Sequence, residues 1–221
     1  MIDELISFIA PHHCCGCGKI GGLLCYDCKY NIIDEPNSSC IVCNQPTNAN
    51  CLCNTCKVPF DKAWVVGERN GILQRLVGLY KFERARSAYK DLGGLLIDVL
   101  PDLPSNCIVV PVPTAASHIR ERGYDHMLLI AKYVAKMRGL KCCQVIYRQT
   151  NTKQRQKDAR QRMEQAKRAF NIKSNIDTNV PYLLIDDVYT TGATIKCASH
   201  ILRKAGVKQI FVAIIARQTL D

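Results

Sequence analysis

The stretch LLIDDVYTTGAT, residues 183–194, decides the fold expected for most of this chain. An apolar run ends in two adjacent acids, Asp186 and Asp187, and small hydroxyl residues with a glycine follow at once. An ordinary strand end needs only one polar residue or one glycine to begin its turn. The pattern therefore indicates a ligand site at the end of a buried strand.

The sequence on either side of this stretch alternates between strand-like and helix-like segments. Three short apolar runs rich in β-branched residues are typical of buried parallel strands: residues 107–113, 182–186 and 210–216. Three segments show the i, i+3, i+4 spacing of amphipathic helices: residues 72–82, 92–100 and 127–134. A further helical pattern, residues 193–206, joins the last two strands and ends at Gly206. This strand–helix–strand unit predicts an α/β domain over residues 61–221, with a parallel sheet flanked by helices.

The adjacent acids and the following turn suit different parts of one ligand. In open α/β sheets, ligands bind at the carboxyl ends of the strands, where Asp186 and Asp187 stand. The first amides of the next helix are unpaired and carry partial positive charge, so they favour a phosphate. Carboxylates repel phosphate but accept hydrogen bonds from neighbouring hydroxyls. The site therefore suits a molecule with both a phosphate and a diol, such as a ribose 5-phosphate unit.

Ten of the fourteen cysteines lie within the first 56 residues. Eight of them form four C-x-x-C pairs: Cys14/Cys17, Cys25/Cys28, Cys40/Cys43 and Cys53/Cys56. The second two pairs repeat the first two at offsets of 26 and 28 residues, which indicates an internal duplication. Two C-x-x-C pairs supply the tetrahedral sulfur shell of one Zn²⁺ ion, so four pairs predict two zinc sites.

The four C-x-x-C pairs, each a zinc knuckle, can combine into metal sites in more than one way. Sequential pairing gives one zinc per half, and interleaved pairing joins the first knuckle with the third and the second with the fourth. A single metal site and a disulfide framework are further alternatives, although the absence of a secretion signal disfavours disulfides. Residues 1–60 have few large apolar residues, so we expect a zinc-ribbon-like module that metal folds.

The basic residues concentrate in one part of the chain. The formal net charge is +11, and residues 141–173 carry ten basic side chains against two acidic ones. The polar segment in their middle has almost no apolar periodicity, which is typical of a solvated face. The alternative is an arm that closes over a polyanion, either a phosphorylated small molecule or a nucleic-acid backbone.

The chain shows no sign of membrane insertion or secretion. No apolar run approaches the eighteen or more residues of a membrane span, and the start MIDELISFIAPHH carries acids where a signal peptide carries positive charge. We therefore expect a soluble cytoplasmic protein.

The motif at residues 183–194 closely resembles the signature of type I phosphoribosyltransferases, which bind 5-phosphoribosyl 1-pyrophosphate (PRPP). The resemblance implies that Asp186 and Asp187 hold the ribose hydroxyls. It also implies that the following turn cradles the 5′-phosphate, through Thr190, Thr191, Gly192, Ala193 and Thr194. Walker-type and Rossmann glycine motifs are both absent from the sequence.

A second resemblance covers nearly the whole chain. The amino-terminal C-x-x-C module, LYKF with Lys81, VVPVPT (109–114), RERGYDH (120–126) and the basic stretch from Gln154 to Phe170 are together similar to the ComF competence family. It implies that Pro113 and Thr114 form the pyrophosphate loop. It also implies that Lys81, Arg120 and Arg122 act as catalytic residues that neutralise the Mg²⁺-bound pyrophosphate, with Mg²⁺ entering together with PRPP.

This family resemblance implies a role in natural transformation, in which the protein assists the entry of single-stranded DNA into the cytoplasm. Arg155, Arg160 and Arg162 are then the candidate nucleic-acid contacts, and another DNA-uptake protein such as a helicase is an expected partner. Phosphoribosyl transfer is left open. The alternative function is a phosphoribosyltransferase of nucleotide salvage with an unidentified acceptor and no DNA role. Since no hood follows the last strand, we expect the zinc module to lie beside the mouth of the site.

Overall fold

The computed structural model describes residues 12–33, 39–47, 51–83, 85–148, 170–173 and 175–218. The candidate nucleic-acid contacts Arg155, Arg160 and Arg162 lie outside these ranges. Within the described ranges there is no helix long and apolar enough to cross a lipid bilayer.

The described elements begin with small strands in the cysteine-rich segment and continue as an alternating α/β domain. The strands are β1 (His12–His13), β2 (Ile20–Gly21), β3 (Lys62–Glu68), β4 (Ile108–Pro111), β5 (Lys141–Cys142), β6 (Ile146–Arg148), β7 (Phe170–Ile172), β8 (Tyr182–Tyr189) and β9 (Ile210–Arg217). The helices are α1 (Tyr26–Ile33), α2 (Gly71–Phe82), α3 (Ala88–Val99), α4 (Ala116–Arg122), α5 (His126–Met137) and α6 (Ala193–Lys204).

Five strands form a parallel sheet in the order β3-β9-β8-β4-β5. Strand β8 lies at the centre of this sheet, with β9 on one side and β4 on the other. The parallel sheet and the cysteine-rich segment that precedes it confirm the predicted fold class. The acidic pair belongs to β8 near its carboxyl end, where Asp186 lies opposite Ile214 of β9.

Side chains from the two faces of the sheet form two hydrophobic layers. One layer packs Leu183, Ile185 and their neighbours against α2, α3 and α5. The other packs Leu184, Val212 and their neighbours against α6. Strands buried on both faces need the continuous apolar runs that the sequence shows, because no face of the sheet is left to water.

The cysteine-rich segment packs onto the edge of the same two layers. Leu23 joins the layer of α2, and Ile41 joins the layer of α6. The Cys51 amide donates to the Ala63 carbonyl at 2.9 Å, which attaches the segment to β3. Its buried apolar side chains thus share the core of the sheet, as expected for a segment with few large apolar residues of its own.

Candidate functional site

A cavity of about 240 Å³ opens at the carboxyl ends of β4 and β8. Seven of the predicted site residues line it: Lys81, Pro113, Thr114, Arg122, Asp186, Asp187 and Thr194. Three basic or titratable side chains that the sequence did not single out also line it: His118, His126 and Arg148. The fold therefore brings residues from four separate sequence motifs to one place.

Asp187 contacts two other side chains of this cavity. Its Oδ2 atom lies 2.7 Å from Lys81 Nζ and 2.7 Å from His126 Nε2, and all three side chains are largely buried. Lys81 comes from the end of α2, and His126 is the first residue of α5. One carboxylate therefore joins two helices to the central strand.

The two adjacent acids have opposite pKa shifts. Burial and then the charge of Asp187 raise the pKa of Asp186 from its ordinary value of 3.8 to about 8. Burial alone would also raise the pKa of Asp187, but the hydrogen bond from His126 and the charge of Lys81 overcome it and lower that pKa well below its ordinary range. At neutral pH one acid is then largely protonated and the other ionised, so the pair offers both a donor and a charged acceptor.

The RERGYDH motif builds the opposite wall of the cavity. Gly123 takes a left-handed conformation (φ 82°) that ends α4, and Asp125 begins α5 by accepting from the Leu128 amide at 3.2 Å. Thr114 donates to Asp125 Oδ1 at 2.9 Å, which fixes the loop after β4 against this helix start. The glycine and the cap together turn His126 inward.

Arg122 determines how His126 is protonated. Its Nη1 atom lies 2.8 Å from His126 Nδ1, and its Nε donates to the Lys81 carbonyl at 3.0 Å. A guanidinium group can only donate, so Nδ1 accepts and Nε2 carries the proton that faces Asp187. Arg120, by contrast, is exposed on α4 and does not line the cavity.

The signature loop after β8 divides the predicted phosphate residues between two places. Thr194 lines the cavity of the acidic pair, whereas Thr190 and Thr191 line a second cavity on the side of the cysteine-rich segment. Gly192 lies between them with φ 71°, and a Cβ atom there would stand 2.2 Å from the Tyr189 hydroxyl. Both the backbone conformation and the packing therefore require glycine at this position.

The cysteines form two separate clusters of four. Cys14, Cys17, Cys25 and Cys28 make one cluster, and Cys40, Cys43, Cys53 and Cys56 make the other. In each cluster all four sulfurs lie within 4.8 Å of one another. The shorter Sγ–Sγ distances, 3.6 Å for Cys17–Cys25 and 3.5 Å for Cys43–Cys53, are near the ~3.8 Å edge of a tetrahedral ZnS₄ site.

This geometry settles the pairing of the knuckles. The first pairs with the second and the third with the fourth, so the interleaved arrangement is wrong. Either cluster could hold one zinc ion. Burial raises the pKa of Cys14, but backbone N–H groups of the knuckle outweigh it and lower the pKa to about 6, which favours the thiolate that a metal needs.

Arg217, at the end of β9, holds the second cluster against the sheet. Its guanidinium donates to the Cys40 carbonyl at 3.0 Å, to Ser39 Oγ at 3.1 Å and to Asn44 Oδ1 at 2.6 Å. Glu68 lies 3.6 Å away on β3. Residues 41–44 thereby come to line the second cavity together with Thr190 and Thr191, so this half of the segment lies beside the signature loop.

Comparison with curated proteins gives three competence proteins over most of the chain. The chain is 25% identical to competence protein ComFC of Bacillus subtilis over 201 residues, which cover 83% of this chain and 79% of the relative. It is 26% identical to competence protein F of Haemophilus influenzae over 223 residues, covering 87% and 96%. It is 24% identical to ComFC of Streptococcus pneumoniae over 192 residues, covering 85% and 84%. The chain is thus similar to named competence proteins over most of its length. No protein-family model matches it.

Two solved structures are similar to parts of this chain. Glutamine PRPP amidotransferase from B. subtilis matches 58% of the chain with a TM-score of 0.43 and 17% identity, and the chain spans about a quarter (26%) of that protein's length. A hypoxanthine phosphoribosyltransferase from Staphylococcus aureus matches 63% of the chain and 68% of its own, with a TM-score of 0.35 and 14% identity.

The sequence contains little that predicts the contacts of three of the site's residues. Asp125 and His126 end the RERGYDH motif and Arg217 follows an apolar run, and polar residues are common at such helix starts and strand ends. Only the cap geometry could have been anticipated, because an aspartate two residues after a glycine and before an apolar helical pattern is a helix-start signal. The contacts of Arg217 depend on tertiary packing alone.

The raised pKa of Asp186 predicts a pH dependence of stability. An acid that holds its proton more tightly in the folded state makes the free energy of unfolding fall as pH rises from its unfolded pKa towards about 8. Asp187, with its lowered pKa, contributes stability that disappears only in acid. Replacing Asp186 with asparagine should therefore stabilise the protein more near pH 8 than near pH 5, because the substitution removes an acid that resists ionisation in its buried site. Urea unfolding at the two pH values checks this, and equal effects at both would contradict it.

The two cysteine clusters predict the metal content of the protein. We expect about two zinc ions per purified chain, and about one after Cys43→Ser, because that change removes one of four ligands. Cys143→Ser, which lies outside both clusters, is the matched control and should retain both ions. Plasma mass spectrometry measures the content. Loss of both ions from Cys43→Ser, or none in the native protein, would show that the clusters are not independent zinc sites.

Proposed function

We propose that this protein binds PRPP at the acidic pair and acts in natural transformation, assisting the entry of single-stranded DNA into the cytoplasm. The single observation that carries the proposal is the pair Asp186 and Asp187 at the end of the central strand, inside a cavity whose other charged side chains are basic. This arrangement offers acceptors for a diol and cations for phosphate within one space.

The acidic pair suits the hydroxyls of the ribose. Asp187 accepts from Lys81 and His126 through Oδ2, and this leaves its other oxygen for a ligand hydroxyl. Asp186 accepts from the Asp187 amide through Oδ1 at 3.0 Å, which also leaves one oxygen. Two oxygens on consecutive residues can hold two vicinal hydroxyls, with the ribose bridging them.

The basic wall suits the pyrophosphate. Lys81, Arg122 and Arg148 line the cavity, and among the described residues only the acidic pair contributes carboxylates to it. In the proposed complex these cations and the Pro113–Thr114 segment face Mg²⁺-bound pyrophosphate, and the signature loop from Thr190 to Thr194 supplies donors to the 5′-phosphate. Arg120 is exposed, so its part in the proposal is limited to long-range attraction.

The DNA role is supported by the curated relatives and by the charge of the chain. The relatives that match most of the chain are named competence proteins. Arg148, on the wall of the cavity, directly precedes the basic stretch with Arg155, Arg160 and Arg162. We therefore propose that these arginines contact the DNA backbone and that a DNA-uptake partner such as a helicase acts beside this cytoplasmic protein. Nucleotide salvage is the second candidate function, because PRPP held in the same cavity could donate its phosphoribosyl group to an acceptor.

Calorimetric titration of the full chain tests both parts. PRPP with Mg²⁺ should bind, and a single-stranded oligonucleotide should bind with an affinity that falls steeply as salt rises. The triple variant R155A/R160A/R162A should flatten this salt dependence, while PRPP affinity stays unchanged. The expected change in logarithmic slope is about 0.7 for each DNA phosphate that the variant no longer neutralises.

The matched control removes three exposed lysines elsewhere, K132A/K136A/K204A, and so loses the same charge. If both triple variants weakened DNA binding equally, the net charge of the protein rather than these three arginines would account for the binding. Absence of PRPP binding by the native chain would overturn the proposal as a whole. PRPP consumption with a nitrogenous base and without DNA binding would favour the salvage function.

A further inference from the structure

His126 lies between the acidic pair and Arg122, and the proposed function gives it no part in binding. It is the first residue of α5, and its side chain is only 7% exposed. Its Nε2 atom lies 2.7 Å from Asp187 Oδ2, and its Nδ1 atom lies 2.8 Å from Arg122 Nη1. The imidazole therefore bridges a carboxylate and a cation of the cavity.

Contacts from α2 and from the loop after β4 fix the position of this ring. Tyr80 donates its hydroxyl to the His126 carbonyl at 2.7 Å, and its own ring lies edge-on to the imidazole with the centroids 6.1 Å apart. Thr114 Oγ1 lies 3.2 Å from Nδ1 and gives its proton to Asp125, which caps the helix start. A buried ring held in this way has little freedom to turn away from Asp187.

The neighbours of the ring define which nitrogen carries the proton. Arg122 Nη1 can only donate, and it lies nearer to Nδ1 (2.8 Å) than to Nε2 (3.3 Å). The ionised Asp187 can only accept, so the proton belongs on Nε2. With the proton on Nδ1 alone, a donor would face Arg122 and two acceptors would face each other at 2.7 Å.

The same Asp187 oxygen also contacts Lys81. Within the described residues both side-chain contacts of Asp187 go to Oδ2, at 2.7 Å from Lys81 Nζ and 2.7 Å from His126 Nε2. Two donors on one oxygen hold the carboxylate in one rotation and leave Oδ1 for a ligand. Lysine has a long, flexible side chain, and the proposed function also assigns Lys81 to the pyrophosphate. When pyrophosphate attracts the lysine, the fixed imidazole is the donor that stays on Oδ2.

We infer that His126 is a positioning residue for the ribose, whose Nε2–H holds the Asp187 carboxylate so that Oδ1 faces a ligand hydroxyl. The inference rests on the proposed PRPP site and deepens it, because it names a residue that determines recognition of the diol. Without the imidazole the carboxylate can rotate, so the ligand loses part of the contribution of its hydroxyls and keeps its phosphate contacts. The expected signature is a loss of selectivity between sugars.

Calorimetric titration of the full chain with ribose 5-phosphate and with 2,3-dideoxyribose 5-phosphate tests this role. The ratio of the two affinities measures what the diol contributes, whichever hydroxyl Asp187 holds. His126→Leu should reduce this ratio about tenfold. His126→Gln should keep the ratio within about threefold of native, because its amide N–H can donate to Asp187 and its oxygen can accept from Arg122. A native ratio in His126→Leu, or a ratio in His126→Gln as low as in His126→Leu, overturns the inference.

Ile130→Ala is the control that separates positioning from stability. Ile130 is fully buried on the same helix and does not line the cavity. The change should lower the Tm, as truncation of a core side chain does, and leave the affinity ratio at its native value. Equal falls of the ratio in Ile130→Ala and His126→Leu would assign His126 a structural role only and overturn the inference.

Nitrogen-15 NMR of the imidazole in the native chain gives a readout that needs no variant to fold. At neutral pH the ring should carry its proton on Nε2 and none on Nδ1, and a proton on Nδ1 would overturn the inference. Failure of the native chain to bind either sugar phosphate would refute the proposed function and this inference with it. Binding by the native chain with an unchanged ratio in His126→Leu would refute the role of His126 alone.

Discussion

The double variant Asp186→Asn/Asp187→Asn is expected to bind PRPP about 100-fold more weakly than the native chain. A ligand hydroxyl on the charged Asp187 contributes about 1.5–3 kcal/mol and one on the largely protonated Asp186 about 0.5–1.5 kcal/mol, so the loss of both amounts to roughly two powers of ten in affinity. Asparagine keeps the size of the side chain and one oxygen, which separates the effect of charge from that of shape. Calorimetric titration with PRPP and Mg²⁺ measures the change.

Two controls make this result specific. Asp102→Asn changes a fully exposed aspartate that does not line the cavity, and it should bind PRPP like the native protein. The single variant Asp187→Asn should also lose stability, because it leaves Lys81 and His126 without their charged partner, whereas Asp186→Asn should not. PRPP affinity within a few-fold of native in the double variant would exclude the acidic pair from binding.

Arg217→Ala is expected to lower the free energy of unfolding by about 3 kcal/mol. The guanidinium is almost wholly buried and donates to the Cys40 carbonyl, Ser39 Oγ and Asn44 Oδ1, so its removal leaves the buried Cys40 carbonyl without this donor and Glu68 without this cation. Urea unfolding measures the decrease. Hydrogen exchange should show the loss of amide protection concentrated in residues 39–47, because the side chain of Arg217 contacts this segment.

The matched control for this variant is Arg69→Ala, which removes an arginine just beyond the end of the neighbouring strand. Arg69 is exposed and its side chain donates only to Gln218 Oε1 among the described residues, so the change should cost less than about 1 kcal/mol. Equal decreases from both variants would show that the buried contacts of Arg217 contribute little to stability.

The architecture could be predicted from local patterns because the strands are buried on both faces. The apolar run at residues 210–216 indicates a buried strand, and the spacing of apolar residues at 72–82 indicates a helix. Both patterns are local and do not depend on the rest of the chain. The predicted helices and strands were shorter than the observed ones where polar residues occur within an element. Strand β8 continues through the acidic pair to Tyr189, since its backbone pairs with β9 whatever the side chains are. Helix α3 begins at Ala88, four residues before the apolar spacing starts.

The cysteine pairing and the contacts of the acidic pair depend on tertiary structure. Sequence spacing allowed both sequential and interleaved knuckles, and only the folded chain places the sulfurs in two groups. Likewise, Lys81 and Asp187 are separated by more than 100 residues, and no local period relates them. Arg120 and Arg122 look equivalent in the sequence, yet residues two apart on a helix face different sides, so Arg120 is exposed whereas Arg122 contacts His126.

The most direct test of the proposed ribose site compares ribose 5-phosphate with 2-deoxyribose 5-phosphate by calorimetric titration of the native chain. The two ligands share the phosphate and differ by one hydroxyl. Because two neighbouring carboxylates are assigned to two neighbouring hydroxyls, we expect the deoxy sugar to bind about tenfold or more weakly. Equal affinity for the two sugars would contradict the assignment.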